Sequence, residues 1–592
     1  MKQEIRNRVA ALRSFMKAEG ISAFITPSTD PHSGEYTPEH WESRKWISGF
    51  TGSAGTAVIT LTDGGVWTDS RYFLQAEDQL AETGLTLFKD RLPETPSISE
   101  WLGSVLQAGE KIGIDGWVTT TAEAEDMSCA LKEYGLELKT VQDPYAILWE
   151  NRPSIPNNPV FVLPEQLTGA SIADKLTQIR QSISKTHAEG ILISALDEIA
   201  WALNLRGNDV HCNPVFVSYL LITHEAVTLY IEKEKLPEKV QIYLEINGIE
   251  TKPYATIAND LKEYPNSSIQ LSNSTNYALF SAVNPSVRII RAVSPISYLK
   301  AIKNETEIEG FHHAMLRDGV AMVRFLIWLK ESVKSGKETE VSIDQKLYSL
   351  RSAHPYFKGI SFDTIAGYQD HGAIVHYEAT PETAYTLKPE GFLLLDSGAQ
   401  YLDGTTDITR TIVLGPITDA QKKDYTLVLK GFLNLSMVVF PHGTCGTQLD
   451  ILARQAMWKE GINYGHGTGH GVGHFLNVHE GPHQIRMNNM PALMLPGMTV
   501  TNEPGIYKAG KYGIRHENTM IVAKAMNTEF GAFYKLEPLT LCPFDKEAIL
   551  VDMLSPEEKS YFNTYHERVY RELSPELNPE EQAWLKNATS AI

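Results

Sequence analysis

Hydrophobic and polar positions follow different periods in different parts of this chain. The first twenty residues mix charge with apolar positions as a surface helix does. An apolar run at 20–26 reads as a short buried strand. The segments 57–61 and 66–68 flank Asp63-Gly64-Gly65, a hairpin turn signal, and a helix carrying Arg71 to Ala76 follows. Pro153, Pro156, Pro159 and Pro164 oppose both helix and central strand, which places a linker there. The opening pattern then partly recurs. Glu189-Gly190-Ile191 echoes Glu19-Gly20-Ile21, and Trp201 to Gly207 echoes Trp46 to Gly52, with β-rich stretches at 215–222 and 227–231 after it. This self-similarity predicts two related α/β domains.

A different pattern begins near residue 300. Asn304-Glu305-Thr306-Glu307 reads as a capping box. Ile308, Phe311, Met315, Met322, Phe325 and Leu329 then recur at helical spacing in a long amphipathic helix. Ser555-Pro556-Glu557-Glu558 and Ser574-Pro575-Glu576 read as two helix starts in a tail. The expected domains are residues 1–152, 153–300, 301–545 and a helical extension at 546–592.

Composition narrows the class. The chain has 592 residues, 42% hydrophobic and 21% charged, which is globular usage. Its net charge of −19 disfavours nucleic acid and anionic membranes as partners. Four cysteines, Cys129, Cys212, Cys445 and Cys542, are far apart, which excludes a zinc ribbon or a dense disulfide scaffold. The N-terminal segment lacks the apolar stretch of a signal peptide, and no apolar run reaches the roughly 18 residues of a membrane span. The expectation is a cytoplasmic protein.

The chemistry concentrates between 370 and 520. Residues 392–396 and 407–413 read as strands flanking Asp403-Gly404. A hairpin centred at 401–402 sets Asp396 opposite Asp407, with Cβ atoms about 4.5–5.5 Å apart. Residues 498–503 and 514–522 flank Ala509-Gly510-Lys511, and a turn centred on Gly510 sets Glu503 opposite Glu517. Carboxylates on apolar strands repel unless protonated or neutralised by a cation. Between the hairpins, alternating glycine from Gly465 to Gly473 opposes a helix, so extended backbone is expected to point His466, His470 and His474 one way. Four carboxylates with imidazole and no thiol suit two divalent ions, foremost Mn²⁺, with Co²⁺ or Zn²⁺ as alternatives. Such pairs lie about 3.5–4 Å apart, bridged by water or hydroxide.

The ordered set Ile374-Val375-His376-Tyr377, Leu395-Asp396-Ser397-Gly398, Asp403 to Thr411, Gly467 to Gly473, Asn477-Val478-His479-Glu480-Gly481-Pro482, Asn502-Glu503-Pro504-Gly505 and Gly513 to Asn518 resembles the pita-bread-fold metallopeptidases. It is most similar to the three-domain Xaa-Pro aminopeptidases. Ser48 to Thr56 and Trp67 to Gln75 extend the similarity to the N-terminal part. The resemblance implies an α/β and α+β fold, with two creatinase-like domains before a pita-bread catalytic domain. It implies five metal ligands, Asp396, Asp407, His470, Glu503 and Glu517, with Asp407 and Glu517 bridging both ions. It implies substrate contacts by His376, His479 and Arg71, a further active-site histidine at His466, and proton transfer by Glu503. The implied reaction removes one residue before a proline at position two by way of the bridging hydroxide, and the implied assembly is a homodimer. Alternatives are an Xaa-Pro dipeptidase (prolidase) and a non-catalytic peptide- or histone-binding module. His474 and His516 depart from the family pattern. His516 is expected to point away from Glu517 as a packing residue, and the role of His474 stays open.

Overall fold

A computed structural model describes residues 2–592. The chain packs into two compact units, one built from residues up to 163 with 170–296, the other from 164–169 with 297–592.

The first unit starts with helix α1 (Lys2–Glu19), whose Ile5, Val9, Leu12 and Met16 are buried. Two six-stranded sheets follow. The first consists of β1 (Ala23–Pro27), β2 (Thr56–Thr60), β3 (Gly64–Thr68), β4 (Thr86–Lys89), β5 (Lys111–Asp115) and β6 (Glu137–Val141). Their order is β4-β3-β2-β1-β5-β6. The second consists of β7 (Gly190–Ile193), β8 (Tyr219–Thr223), β9 (Val227–Tyr230), β10 (Ile249–Lys252), β11 (Ser268–Leu271) and β12 (Arg288–Arg291). Its order, β10-β9-β8-β7-β11-β12, repeats the first. The parallel and antiparallel pairings also match strand for strand. The weak sequence recurrence therefore has a topological counterpart. The sheets meet through buried polar contacts: His32 Nδ1 lies 2.9 Å from Ser194 O, and Thr121 Oγ1 donates to Thr275 O at 2.8 Å. The helix after β3 begins at Phe73, so Arg71 precedes it, in a turn where Asp69 accepts from the Arg71 N–H.

The first long helix of the second unit is α2 (Glu305–Ser332), and Asn304 and Glu307 form the expected capping box. Helix α3 (Glu340–Ser352) leads to β13 (Ile365–Tyr368). Strand β14 (Phe392–Ser397) pairs with β13 on one side and with β15 (Ile408–Val413) on the other. Helices α4 (Asp419–Ser436) and α5 (Gly446–Trp458) pack together. Beyond them come β16 (Gly469–Gly471) with β17 (Glu480–Ile485), then β18 (Thr499–Asn502), β19 (Gly505–Lys508), β20 (Tyr512–Arg515), β21 (Asn518–Thr528) and β22 (Gly531–Pro538). Apolar residues of α4, including Leu429, Phe432 and Leu433, share a core with Phe544, Phe562, Tyr565 and Val569 of the C-terminal region.

The tail departs from expectation at one point. Helix α6 (Pro556–Leu573) starts at Ser555 as predicted. Ser574–Glu576, however, is a single 3-10 turn. Helix α7 (Pro579–Ala588) starts instead at Asn578, whose side chain accepts from the Glu580 and Glu581 amides. The better cap wins, because it satisfies two otherwise orphaned N–H groups.

Candidate metal centre

The two hairpins resolve differently. In the second, Asn502 pairs with Asn518 and Gly505 with Arg515, one register on both sides of a gap. Glu503 therefore stands opposite Glu517 about Gly510, as the spacing anticipates. Glu503-Pro504 and His516-Glu517 interrupt the ladder at this level. The first hairpin is offset by two residues. Asp396 pairs with Thr409, and the pairings Gln400–Thr405 and Tyr401–Gly404 put the turn at Leu402 and Asp403. The expected opposition of Asp396 and Asp407 is thus replaced by a diagonal. Asp403 takes the second turn position, and its carboxylate is held by Arg317 of α2, which donates to Oδ1 at 2.7 Å and also to Oδ2. A two-residue offset conserves the face, so Asp396 and Asp407 still point to the same side. Opposite Asp407 lies Gly398, where a Cβ would fall 2.1 Å from Ser361 Oγ and from Thr406 O.

His470 lies on β16, across from Gln484. Its Nε2 is 3.4 Å from Asp407 Oδ2 and 3.5 Å from Glu503 Oε1. Ligand atoms of Asp407, His470 and Glu517 all lie within 4.8 Å of one another. Glu517 is 1% exposed, and its Oε2 accepts from Thr409 Oγ1 at 2.8 Å. Asp396 Oδ2 accepts from Arg515 Nη2 at 2.6 Å, while its Oδ1 is buried without a protein partner.

The electrostatics follow from crowding. Burial, then the charges of Asp407, Glu503 and Asp396, raise Glu517 well above the carboxylate range. Burial, opposed by Arg515 and helped by Asp407, raises Asp396. Burial pushes Glu503 up to about 7 against His470 and Arg515, with Asp407 and Asp396 adding to the rise. Burial disfavours the His470 imidazolium, yet the Asp407 hydrogen bond and the Glu503 charge outweigh it and push it up to about 9. Four carboxylates face one guanidinium and one imidazole. The oxygen-rich donor set, the orphaned Asp396 oxygen and the upward shifts all fit bound cations.

The other predicted histidines separate. His479 stands edge-on to His470, with centroids 4.2 Å apart. The following Glu480 is buried against Lys303 and against Lys300 at 3.0 Å. His466 Nε2 lies 2.7 Å from Tyr507 Oη. His376 follows the short turn Gln369–Ala373, and the adjacent Val375 O accepts from Arg515 Nη2 at 3.4 Å. Glu340, wholly buried at the start of α3, braces this segment. It accepts from the Tyr368 and Tyr385 amides, from Tyr377 Oη, and sits 3.0 Å from His371 Nδ1. The three histidines of the glycine-rich segment do not share a face. Strand β16 ends at Gly471, its pairing jumps between His470 and Gly471, and His474 packs edge-on to Phe311 of α2. His516 points away from the carboxylates onto Tyr425 and Phe544, and burial pushes it down to about 3. Arg71 belongs to the first unit, where it pairs with Asp69 at 2.7 Å.

Arg515 escaped the sequence reading. It binds Asp396, Tyr507 Oη at 2.7 Å and Thr409 Oγ1 at 3.3 Å. Its signal was present: it stands two residues before Glu517 on an extended segment, so both face one side.

Residues 309–524 match metallopeptidase family M24, and 532–592 match the C-terminal region of that peptidase. Residues 8–146 and 151–307 each match a creatinase/prolidase N-terminal domain. Xaa-Pro aminopeptidase 1 of Dictyostelium discoideum is 40% identical over 99% of this chain and 96% of its own. A probable Xaa-Pro aminopeptidase P of Fusarium vanettenii is 40% identical over the full length of both. The crystal structure of X-prolyl aminopeptidase from Caenorhabditis elegans, described as a cytosolic enzyme with a di-nuclear active site, superposes with a TM-score of 0.96 at 33% identity. It covers 99% of this chain and 100% of that one. A Thermococcus sibiricus prolidase shares the fold over 63% of this chain, at 22% identity and a TM-score of 0.51. With relatives matched end to end and the M24 segment holding the carboxylate cluster, this chain belongs to the Xaa-Pro aminopeptidases of metallopeptidase family M24.

Proposed function

We propose that this protein is a metal-dependent aminopeptidase that releases the N-terminal residue from peptides with proline in second position. The carrying observation is the convergence of Asp396, Asp407, His470, Glu503 and Glu517 on one buried site, in a chain whose relatives are Xaa-Pro aminopeptidases over their full length. These five residues would hold two divalent ions, Mn²⁺ before Co²⁺ or Zn²⁺ by the hardness of the donors. When bound, the ions polarise the scissile carbonyl and acidify the attacking water.

The chain's own groups do the rest. Glu503 Oε1, beside His470 and Thr501 Oγ1, is placed to take a proton and return it to the proline nitrogen. His376 and His479 contact the substrate around the carbonyl, where a preorganised donor lowers the barrier by about 2.7–4 kcal/mol. Arg515 holds Asp396 with the Nε–Nη2 edge of its guanidinium and Tyr507 with Nη1, which fixes the rim where the substrate amine enters. Arg71 is a substrate contact by resemblance. Proline lacks an N–H and has a fixed φ, so a shaped apolar pocket selects it. The protein acts as a homodimer in the cytoplasm, a reading drawn from its family; among the described residues no helix is long and apolar enough to cross a membrane.

Chelator-stripped protein should lose activity and regain it with Mn²⁺, and metal analysis should give two ions per chain. An Xaa-Pro-Xaa tripeptide should be cleaved faster than an Xaa-Pro dipeptide. Full activity without metal overturns the mechanism, and a preference for the dipeptide makes the protein a prolidase.

A further inference from the structure

The glycine-rich segment before His470 has little means of holding itself. Glycine loses the most freedom on folding, and directly before β16 the backbone bond to β17 is that of the Thr468 N–H to Ile485 O at 2.8 Å. The side-chain anchors come from α5. Arg454 and Asp450, one helical turn apart and 1% and 2% exposed, pair at 2.6 Å. The remaining guanidinium donors reach the segment's carbonyls: Nη1 donates to Tyr464 O at 2.7 Å, and Nη2 to His466 O at 2.8 Å. The guanidinium also lies 3.8 Å from the centre of the Tyr464 ring. The other Asp450 oxygen accepts from Thr468 Oγ1 at 2.6 Å, which leaves Tyr464 Oη to donate to that hydroxyl at 2.5 Å. Thr468 O then accepts the Glu503 N–H at 2.8 Å. Two hydrogen-bonded lines thus run from one ion pair, one to the backbone of His466 and the other through Thr468 to Glu503.

We infer that Asp450 and Arg454 are positioning residues for the reaction: through Thr468 and the His466 carbonyl they hold Glu503 and His466 in register with the carboxylate cluster. The inference rests on the function proposed above. A buried ion pair is a weak source of stability, because desolvation offsets its attraction. Fixing the geometry of a segment that cannot fix itself is the use left to it. Displacing a reacting group by about 1 Å can cost on the order of a hundredfold in rate.

Three variants test this. Thr468→Val is isosteric and removes only the hydroxyl link. Asp450→Asn combined with Arg454→Met removes both charges without leaving one unpaired. Thr468→Ser keeps the hydroxyl. On an Xaa-Pro-Xaa tripeptide, the first two should lower kcat by about tenfold or more while KM moves by less than about threefold. Bound metal should stay near wild type even where Tm falls, since both changes leave buried polar groups unpaired, and Thr468→Ser should restore most of kcat. Unchanged kcat in Thr468→Val overturns the inference, as does a loss of activity that tracks metal content or KM. If the double variant fails to fold, Thr468→Val against Thr468→Ser decides alone. A wild type that does not cleave Xaa-Pro peptides overturns the assigned function; a cleaving wild type with unaltered variants overturns the positioning role.

Discussion

The β18–β21 hairpin sets Glu503 across from Glu517 with the same register before and after the pair, whereas in the β14–β15 hairpin Asp396 faces Thr409 and Asp407 lies on the diagonal. The symmetric pair must neutralise itself with help from outside, and Glu517 is accordingly raised well above the carboxylate range. Asp396, in the offset pair, is eased from within the protein. Thr409 fills the place across from Asp396, and Arg515 reaches over from the other hairpin to bind it. Register thus decides how much charge a site leaves for a metal to balance. Asp407, His470 and Glu517 form the tightest donor cluster, with the imidazole as its counter-charge, while Asp396 is partly neutralised by a guanidinium.

The sharpest way to break this contrast is to neutralise its two sides separately. Asp407→Asn or Glu517→Gln should release metal and lower kcat/KM by about a thousandfold or more, and Asp396→Asn should do less. Metal analysis beside kinetics reads the order, and equal losses would erase the distinction. Arg515→Met should destabilise the metal-free protein by about 3–5 kcal/mol, because it strands a buried carboxylate. Denaturant titration should show that loss shrinking when Mn²⁺ is added. If Mn²⁺ leaves it unchanged, Asp396 meets no metal.

The turns offer a smaller test. Gly398→Ala drives a methyl against Ser361 and Thr406 and should cost about 3 kcal/mol or more. Gly510→Ala has open space around it and meets only the strain of a φ of +67°, about 1–2 kcal/mol. Equal Tm shifts would contradict the packing described for the first hairpin.

An effect of similar size, tied to pH, lies behind the second hairpin. Phe544, stacked under Arg410, donates its N–H to His566 Nε2 at 3.1 Å, so that imidazole is neutral. Burial pushes His566 down to about 3 from an ordinary 6.5. The unfolded chain therefore takes up this proton first, and the stability is present above pH 6.5 and lost as pH falls toward 3. At pH 5 the loss is roughly 2 kcal/mol. His566→Gln, which keeps an acceptor, should flatten unfolding curves measured between pH 8 and 5 by that amount. An unflattened curve would assign the acid lability to other groups.

The contrast between the hairpins also explains what could be read from sequence. Glu503 and Glu517 were legible because the turn at Gly510 is symmetric and short. The offset at Asp407 was hidden because Asp403 itself takes a turn position, with its carboxylate held by a helix residue 86 positions earlier in the chain. The capping box at Asn304 and the helix start at Ser555 are local signals, and both stand in the structure. His474 was lost to a strand of three residues, too short to carry an alternation. Arg515, Glu340, Asp450 and Arg454 look ordinary along the chain. Their importance lies in partners up to 140 positions away, which no periodicity encodes.

The interrupted ladder of the second hairpin has a consequence for local opening. Glu503 gives its N–H to Thr468 and Glu517 gives its N–H to Thr409, so neither amide is protected by its own hairpin. Their hydrogen exchange reports the docking of three separate segments, and it should slow together at both residues when the cations bind, as a single cooperative unit.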